Sequence, residues 1–378
     1  MTTAASRKDW LSNLRDPLHE FMETLKVPGH PGRFKPCPKG AVGAGTQASL
    51  GFSCFAHKIY YSLGLWERLS PREQTDWIEW IRSFQNPDGS PSNGQWSDAF
   101  IDPHLLAHVP NPPYLGIRLT LRRFLAGIQA PEPKRDAIRA ETKQAIATLA
   151  QIGVNPHRPF SHFPLQEKKL QRQLQGFDWS EPWSAGARTA LLAVFVQTQA
   201  DLIDTHLREP LARVITRFLD HMVNPHNGTY YRGTTPPTRG QMINGAMKVL
   251  NAMDWLEQPI HHPERLIDTT LEQGPPPAGC HVVDWIYVLH RCGLQTQHRR
   301  KEIQDRCLEL IDLIKTHQNQ DHGFSYQPHI AQTIYYHATI SRGLDEGDIH
   351  GTCLLVWALT MIAGILEWDI PGWKIIRP

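Results

Sequence analysis

The chain has little net charge, few cysteines and no long apolar run, and each lack removes a class of function. Lys and Arg number 39 and Asp and Glu 37, a formal charge of +2. That leaves none of the basic excess with which proteins grip nucleic acid or an anionic membrane surface. The 6 cysteines, at positions 37, 54, 280, 292, 307 and 353, have no paired spacing. This pattern suits reduced thiols rather than a disulfide framework. No run approaches the ~18 consecutive apolar residues with which a helix crosses a bilayer, and Met1 to Trp10 contain no apolar stretch of the secretory kind. A cytoplasmic location is therefore the expectation. Alternating stretches bounded by hairpin turns are also missing, so no convincing strand is expected. What is present is a hydrophobic content of 40% and 12 tryptophans, enough for a core with aromatic rings left over to line a cleft.

The organising feature is a helix that runs into Asn-Pro-x-x-Gly or a close variant, four times over. The copies are Asn86-Pro87-Asp88-Gly89, Asn155-Pro156-His157-Arg158, Asn224-Pro225-His226-Asn227-Gly228 and Asn319-Gln320-Asp321-His322-Gly323. The first three asparagines are evenly spaced and the fourth lies further on, so a longer insert or an extra unit intervenes. Proline cannot continue a helix, and Asn and Gly tolerate the left-handed conformation that ends one. A recurring unit of this kind buries its apolar face only by stacking on its neighbours.

The helical segments fall into two kinds. Those opening near Gly51, Gly116, Gly186, Gly245, Val282 and Gly351 are apolar around most of their circumference and belong inside. Those at 8–26, 71–84, 134–152, 205–222, 263–271 and 298–317 carry one polar face and belong outside. Six of each in alternation make an all-α fold, an (α/α)6 toroid. Residues 1–378 are expected to form a single domain of this kind, with 28–48 as a Gly/Pro-rich loop.

Gln-Asn-Pro-Asp-Gly-Ser (85–90), His-Gln-Asn-Gln-Asp-His-Gly-Phe-Ser-Tyr (317–326) and Asp-Ile-His-Gly-Thr-Cys-Leu-Leu-Val-Trp-Ala-Leu (348–359) carry a resemblance. They are similar to repeats of the terpenoid-cyclase and protein-prenyltransferase superfamily, in which a Gln-x-x-Asp-Gly-Gly-Phe turn precedes a Thr-x-x-Ala-Leu helix. The resemblance covers about half the chain at the level of the repeat. It implies a toroid with a central cleft, an architecture shared with glycosidases, lyases and sugar epimerases, and it carries no reaction of its own. Asp348 to Thr352 loosely resembles the Asp-x-Asp-Asp-Thr-Ala acid motif of squalene-hopene-type cyclases. Asp348 takes the first acidic position, while His350 and Gly351 replace the other two aspartates, so the proton donor of that chemistry is missing. His350 to Cys353 and Cys280-His281 resemble zinc-binding stretches of prenyltransferase β-subunits and of lanthionine cyclases. The resemblance would make Cys280, His281 and His350 zinc ligands, without the acidic or Trp-Cys partners of those families. No cofactor is expected otherwise.

Aligning the inner helices on their glycine positions places Asn244, His281 and His350 one residue before it and Arg118, Arg188 and Asp284 two residues after. Polar groups in otherwise apolar helices are costly unless they meet a partner or a ligand. Arg118 and Arg188, with Asn244, suit an anionic ligand group, because guanidinium forks and helix N-termini both attract carboxylate and phosphate; pairing with loop carboxylates is the alternative. His281 and Asp284 share a helix face and suit general acid–base work or a structural pair. Asp348 and His350 complete the catalytic candidates, Asp348 also reading as an N-cap preceded by solvated Asp345 and Glu346. Trp96, Asp98, Trp183, Tyr230 and Tyr326 lie in loops expected to wall the cleft. Three functions follow. The favoured one is a cyclase-, isomerase- or transferase-type enzyme for an isoprenoid-like substrate with an anionic group. The second is a hydrolase, lyase or epimerase on an acidic glycan, with Asp98, Asp102, Asp178, Glu181 and Asp284 as rim carboxylates. The third is a non-catalytic toroid that binds a peptide. The expected partner is a small molecule or glycan with an anionic group, not nucleic acid or a membrane.

Overall fold

A computed structural model describes residues 3–86, 96–111, 132–276 and 279–378. The described residues fold into helices: α1 (Ala4–Ser12), α2 (Arg15–Leu25), α3 (Leu50–Ser62), α4 (Pro71–Arg82), α5 (Pro103–His108), α6 (Pro133–Gln151), α7 (Glu167–Gln175), α8 (Pro182–Ile203), α9 (Arg208–Met222), α10 (Arg239–Trp255), α11 (Pro263–Gln273), α12 (Cys280–Gly293), α13 (Arg300–Lys315) and α14 (Ile349–Ile365). The fold is an α/α toroid. α3 packs on α6, α6 on α8, α8 on α10, α10 on α12, α12 on α14, and α14 returns to α3, closing an inner ring. Around it α4 packs on α3 and α6, α9 on α7 and α8, α11 on α10 and α12, and α13 on α12 and α14. The inner helices bury almost their whole circumference: in α14, residues from Ile349 to Ala363 are buried on every side. The outer ones bury one stripe, such as Leu211, Ile215, Leu219 and Met222 of α9. Their starts are fixed locally. Ser70 and Glu73 form a reciprocal capping box on α4, and Thr238 and Gln241 form another on α10, each satisfying two orphan backbone donors. None of the described helices is long and apolar enough to cross a membrane.

The ring corrects the expected register in one place. The segment 134–152, expected outside, is α6 and stands in the inner ring between α3 and α8. Ala137, Ile138, Glu141, Thr142 and Ala145 to Leu149 are buried on it. The expected inner segment at Gly116, with Arg118, lies outside the described residues. The short helix α7 was not anticipated; it packs on α9 in the outer layer. The expected helix 8–26 breaks at Asn13 into α1 and α2.

Three of the four echoes fold alike. After α4, α9 and α13 the chain turns back through an isolated bridge: Gln85 with Phe100, Val223 with Tyr230, and Gln318 with Phe324. The asparagine that follows donates its N–H to Ala99, Thr229 and Gly323 carbonyls at 2.8, 2.8 and 2.9 Å. These copies end outer helices. The copy at Asn155 ends the inner helix α6 and forms no such bridge among the described residues, so its even spacing is not structural equivalence.

A two-stranded hairpin, Ile334–Tyr335 with Ala338–Thr339, departs from the expectation of no strand. Its turn residues Tyr336 and His337 have φ of 43° and 68°, the left-handed pair of a type I′ turn. Without Asn-Gly at the turn, the sequence gives no signal for it. It lies between the fourth echo and α14, and it rests on the 43–46 turn. There a Cβ on Gly45 would lie 2.0 Å from the Ile340 carbonyl oxygen. Gly45→Ala should therefore force the two loops apart and lower stability by about 1–3 kcal/mol, read from denaturant unfolding.

The opposite end of the ring is crossed by residues 370–378. Lys374 N–H donates to Ser62 of α3 and Arg377 N–H to the Gln151 side chain of α6, both at 2.9 Å. The Pro378 carbonyl accepts from Trp255 Nε1 of α10 at 2.6 Å.

Candidate functional site

Three lysines, Lys58, Lys143 and Lys248, stand on three inner helices, two of them near enough to influence the third and His350 electrostatically. Lys58 (α3) and Lys248 (α10) both act electrostatically on Lys143 (α6) and on His350 (α14). Lys58 Nζ donates to Gln144 Oε1 at 3.1 Å. Lys248 Nζ stands 3.6 Å from Asp284 Oδ1 and 5.6 Å over the ring of Trp183. Lys143, on α6, is half-buried. Burial holds it well below the usual lysine range, and the charges of Lys58 and Lys248 push the same way.

At the mouth, the first turn of α12 presents Cys280, His281 and Asp284. His281 is exposed, and its Nδ1 lies 2.6 Å from Asn244 Nδ2 of α10. Asp284 sits beneath it, 1% exposed, with Oδ2 unpartnered. Burial raises its carboxyl above the usual aspartate range, while Lys248 and His281 draw it back. Burial also raises the Cys280 thiol, which bonds to the Tyr326 hydroxyl. His350 is sandwiched: its ring stacks on Phe55 at 4.4 Å and on Tyr326 at 5.6 Å, and its Nδ1 lies 2.7 Å from Gln332 Oε1. Burial, then Lys248 and Lys58, push it down to about 3, so the ring is neutral at physiological pH.

The zinc ligands implied by resemblance are rearranged. The donors that come within 4.8 Å of one another are Cys280, His281 and Asp284, not His350. They do not fit a zinc centre well. Asp284 is already matched to the Lys248 ammonium, His281 Nδ1 is engaged by Asn244, and no fourth protein donor joins them among the described residues.

Other expected site residues have different surroundings. Arg188 is not an open fork: its Nη2 pairs with Asp136 at 3.2 Å. Arg118 lies outside the described residues. Asp348 faces backbone only, its carboxylate accepting N–H bonds from Gly351 at 2.7 Å, Tyr326 at 2.7 Å and Gln332 at 3.0 Å. Burial pushes it up to about 6, those bonds opposing. Glu346, expected to be solvated, is buried and accepts from Lys39 and Gly40 N–H, which ties the Gly/Pro-rich loop to the start of α14. Trp96 is buried beneath the guanidiniums of Arg135 and Arg139. Tyr230 is fully buried, its hydroxyl 2.9 Å from His261 Nδ1, and His261 in turn bonds Asp220 of α9. These are corrections to the expected cleft wall. Asp98 has φ of 61° and lies 3.9 Å from Arg158. Trp183 is 48% exposed. The structure thus gathers Asn244, His281, Asp284, Trp183, Tyr326 and His350, and leaves Trp96 and Tyr230 packed in the core.

Sequence reasoning missed the lysines and one acid. Lys58 and Lys248 lie one or two turns deeper than the helix starts, in apolar helices, and that mismatch was the available signal. Glu141 of α6 is buried, with Oε1 accepting from the Tyr335 hydroxyl at 2.6 Å and Oε2 unpartnered. Burial pushes it up to about 8, the Tyr335 bond opposing. It lines a small hollow with Phe100, Leu105, Leu106, Ala137 and Ile138.

No protein-family model matches the chain, and no curated protein matches it in sequence. Among solved structures, a polysaccharide lyase superposes with a TM-score of 0.50 at 11% identity, over 96% of this chain and 99% of the other. An α-1,6-mannanase from Salegentibacter sp. gives 0.42 at 11% identity, over 94% and 99%. A type II terpene cyclase from Scytonema gives 0.43 at 13% identity, over 96% and 100%. At these identities the likeness is one of fold: the chain is an all-α toroid of inner and outer helices.

Proposed function

We propose that the chain is an enzyme that takes a substrate bearing a carboxylate into the ring and moves a proton there, in the manner of a lyase or epimerase acting on an acidic glycan. The observation that carries this reading is the lysine group, Lys58, Lys143 and Lys248, of which Lys248 is paired with the buried carboxylate of Asp284. Like charges held together away from water are unfavourable alone, and an entering carboxylate relieves that cost. Ammonium groups beside a carboxylate also stabilise the negative charge that develops when the adjacent C–H gives up its proton. His281 is the proton donor. With Asn244 Nδ2 donating to Nδ1, the ring proton sits on Nε2, free to meet a leaving oxygen. Asp284 is too buried to touch substrate and acts as a positioning residue for Lys248 and His281. The exposed face of Trp183 suits the apolar side of a sugar ring.

Hydrolysis by two rim carboxylates has less support. Both oxygens of Asp102 are spent on four backbone N–H groups, of Ser49, Leu50, His104 and Leu105, and Asp178 is folded back onto Ser180. An isoprenoid-like substrate with an anionic head is the second reading, favoured by the Phe55–His350–Tyr326 stack.

The test is thermal protection followed by turnover. Glucuronate and galacturonate should raise the melting temperature where glucose does not, by the equivalent of about 2.7 kcal/mol at a hundred times Kd. Lys58→Met should lose the protection. Uronate polymers should then yield an unsaturated product, followed by its ultraviolet absorbance, with His281→Ala binding but slowed by about 10²–10⁴-fold. Equal protection by glucose, or protection only by a prenyl diphosphate, would overturn this reading.

A further inference from the structure

We infer that His350 is the base that takes the substrate's proton, and that Gln332 is the positioning residue that leaves its Nε2 lone pair free to do so. The inference rests on the acidic-substrate reading given above and supplies the counterpart of His281.

The His350 ring is held on both faces, by Phe55 of α3 at 4.4 Å and by Tyr326 at 5.6 Å, with interplanar angles of 20° and 26°. Tyr335 meets it edge-on at 6.3 Å. A ring stacked in this way keeps its plane, and Gln332 decides which edge carries the proton. The Gln332 Oε1 lies 2.7 Å from Nδ1. A carbonyl oxygen only accepts, so the ring proton sits on Nδ1 and the lone pair on Nε2. His281 has the reverse arrangement, with Nδ1 accepting from Asn244. The two imidazoles are thus set as acceptor and donor. Tyr326 links them, stacking on His350 and bonding through its hydroxyl to the Cys280 thiol beside His281.

Gln332 is itself fixed at three points. Its N–H donates to Asp348 Oδ2 at 3.0 Å, its carbonyl accepts from the Ser341 hydroxyl at 2.7 Å, and its side chain reaches His350. Asp348 also caps α14 through the Gly351 N–H. One buried carboxylate therefore sets both the helix that carries the base and the residue that orients it.

The charged groups acting on His350 are Lys248 of α10 and Lys58 of α3, and both oppose a positive charge on it. Its other titratable neighbours stay neutral: burial pushes the Tyr326 and Tyr335 phenols up, and the Cys353 thiol on the same helix up to about 12. A substrate carboxylate lying on the two ammoniums cancels their effect, so the imidazole gains basicity as the substrate arrives. Nε2 then takes the proton from the carbon beside that carboxylate. The electron pair of the broken C–H bond moves onto the carboxylate as an enolate, stabilised by the ammoniums. It next forms a C=C bond and expels the glycosidic oxygen, which takes a proton from His281. Water carries the proton held by His350 back to His281.

The intact chain, isotopically labelled in its histidine ring nitrogens, is followed by nuclear magnetic resonance at neutral pH, with the His350 signals identified by their loss in His350→Gln. The wild type and Gln332→Glu should carry the His350 proton on Nδ1, and Gln332→Met should move it toward Nε2. Glucuronate should shift the Nε2 signal where glucose does not. On a uronate polymer His350→Gln should be slower by about 10²–10⁴-fold. Gln332→Met should lower kcat with KM kept, and Gln332→Glu, which still accepts from Nδ1, should retain most of the rate. A wild-type His350 proton on Nε2 would overturn the inference. Glucuronate that protects the chain against heat without moving the Nε2 signal would also overturn it, while leaving the anion site standing. No protection by glucuronate would bring down both.

Discussion

Asp348→Ala should lower stability by about 3–5 kcal/mol and release the segment between Tyr326 and Asp348 from the ring. The wild-type carboxylate satisfies the N–H groups of Tyr326, Gln332 and Gly351 at once. Each buried donor left unpaired costs about 1–3 kcal/mol, and the N-cap of α14 is lost as well. Some relaxation toward water keeps the total below the sum. Gly351 sharpens the effect. A Cβ there would come within 2.6 Å of the Ser325 and Tyr326 backbone, so the segment from Ser325 onward is seated directly on the first turn of α14 and has no slack. Asp348→Asn keeps the shape and one acceptor oxygen, and should cost roughly half as much. Denaturant unfolding reads both. If Asp348→Ala unfolds like the wild type yet is inactive, Asp348 belongs to the chemistry, as its place in the sequence first suggested.

The stability contributed by the Glu141 proton should be lost as pH rises from about 4.5 to 8, so Glu141→Gln should gain on the wild type across that window. The Glu141 carboxyl titrates near its model value of 4.5 when the chain is unfolded and at about 8 when folded, with burial the cause. Between those values the native state holds a proton that the unfolded state has lost. Linkage then makes the free energy of unfolding fall with rising pH across that window and level off above it. The contribution is whole below pH 4.5 and gone above 8. Asp348, pushed up to about 6, slopes the same way, while neutral His350 and His290, pushed down to about 3 and about 4, slope the opposite way, so the difference between the variant and the wild type isolates the Glu141 part. A glutamine amide is shaped like a protonated glutamate and still accepts from Tyr335. Glu141→Gln should therefore match the wild type within about 1 kcal/mol at pH 5 and exceed it at pH 8.5. Identical slopes in the two proteins would show that Glu141 stays ionised in the fold.

The fold class was legible because two kinds of apolar pattern alternate along the chain, and the contrast survives translation into inner and outer layers. α6 was misplaced for a physical reason. Asp136, Arg139 and Lys143 line one side of it, and periodicity cannot say whether such a side looks outward to bulk water or into the ring. The site was half legible for a related reason. Asn244, His281, Asp284 and His350 stood out as polar residues opening oily helices. Lys58 and Lys248 did not, because lysine is the ordinary surface residue and its long stem hides where the charge goes. Trp96 and Tyr230 were expected in the cleft because they follow helix-ending turns. Beside the bridged turns they instead fold into the core. The Asp348 cap could be read from the sequence, but its two additional long-range acceptor contacts could not.

The strip from Ile370 to Pro378 gives the ring a bottom, laced to α3, α6 and α10. Among the described residues, that end of the ring is spanned by backbone, while His281 and Trp183 stand at the other. On the reading proposed above, a substrate would come in from the side of His281 and Trp183 and present its end to the site.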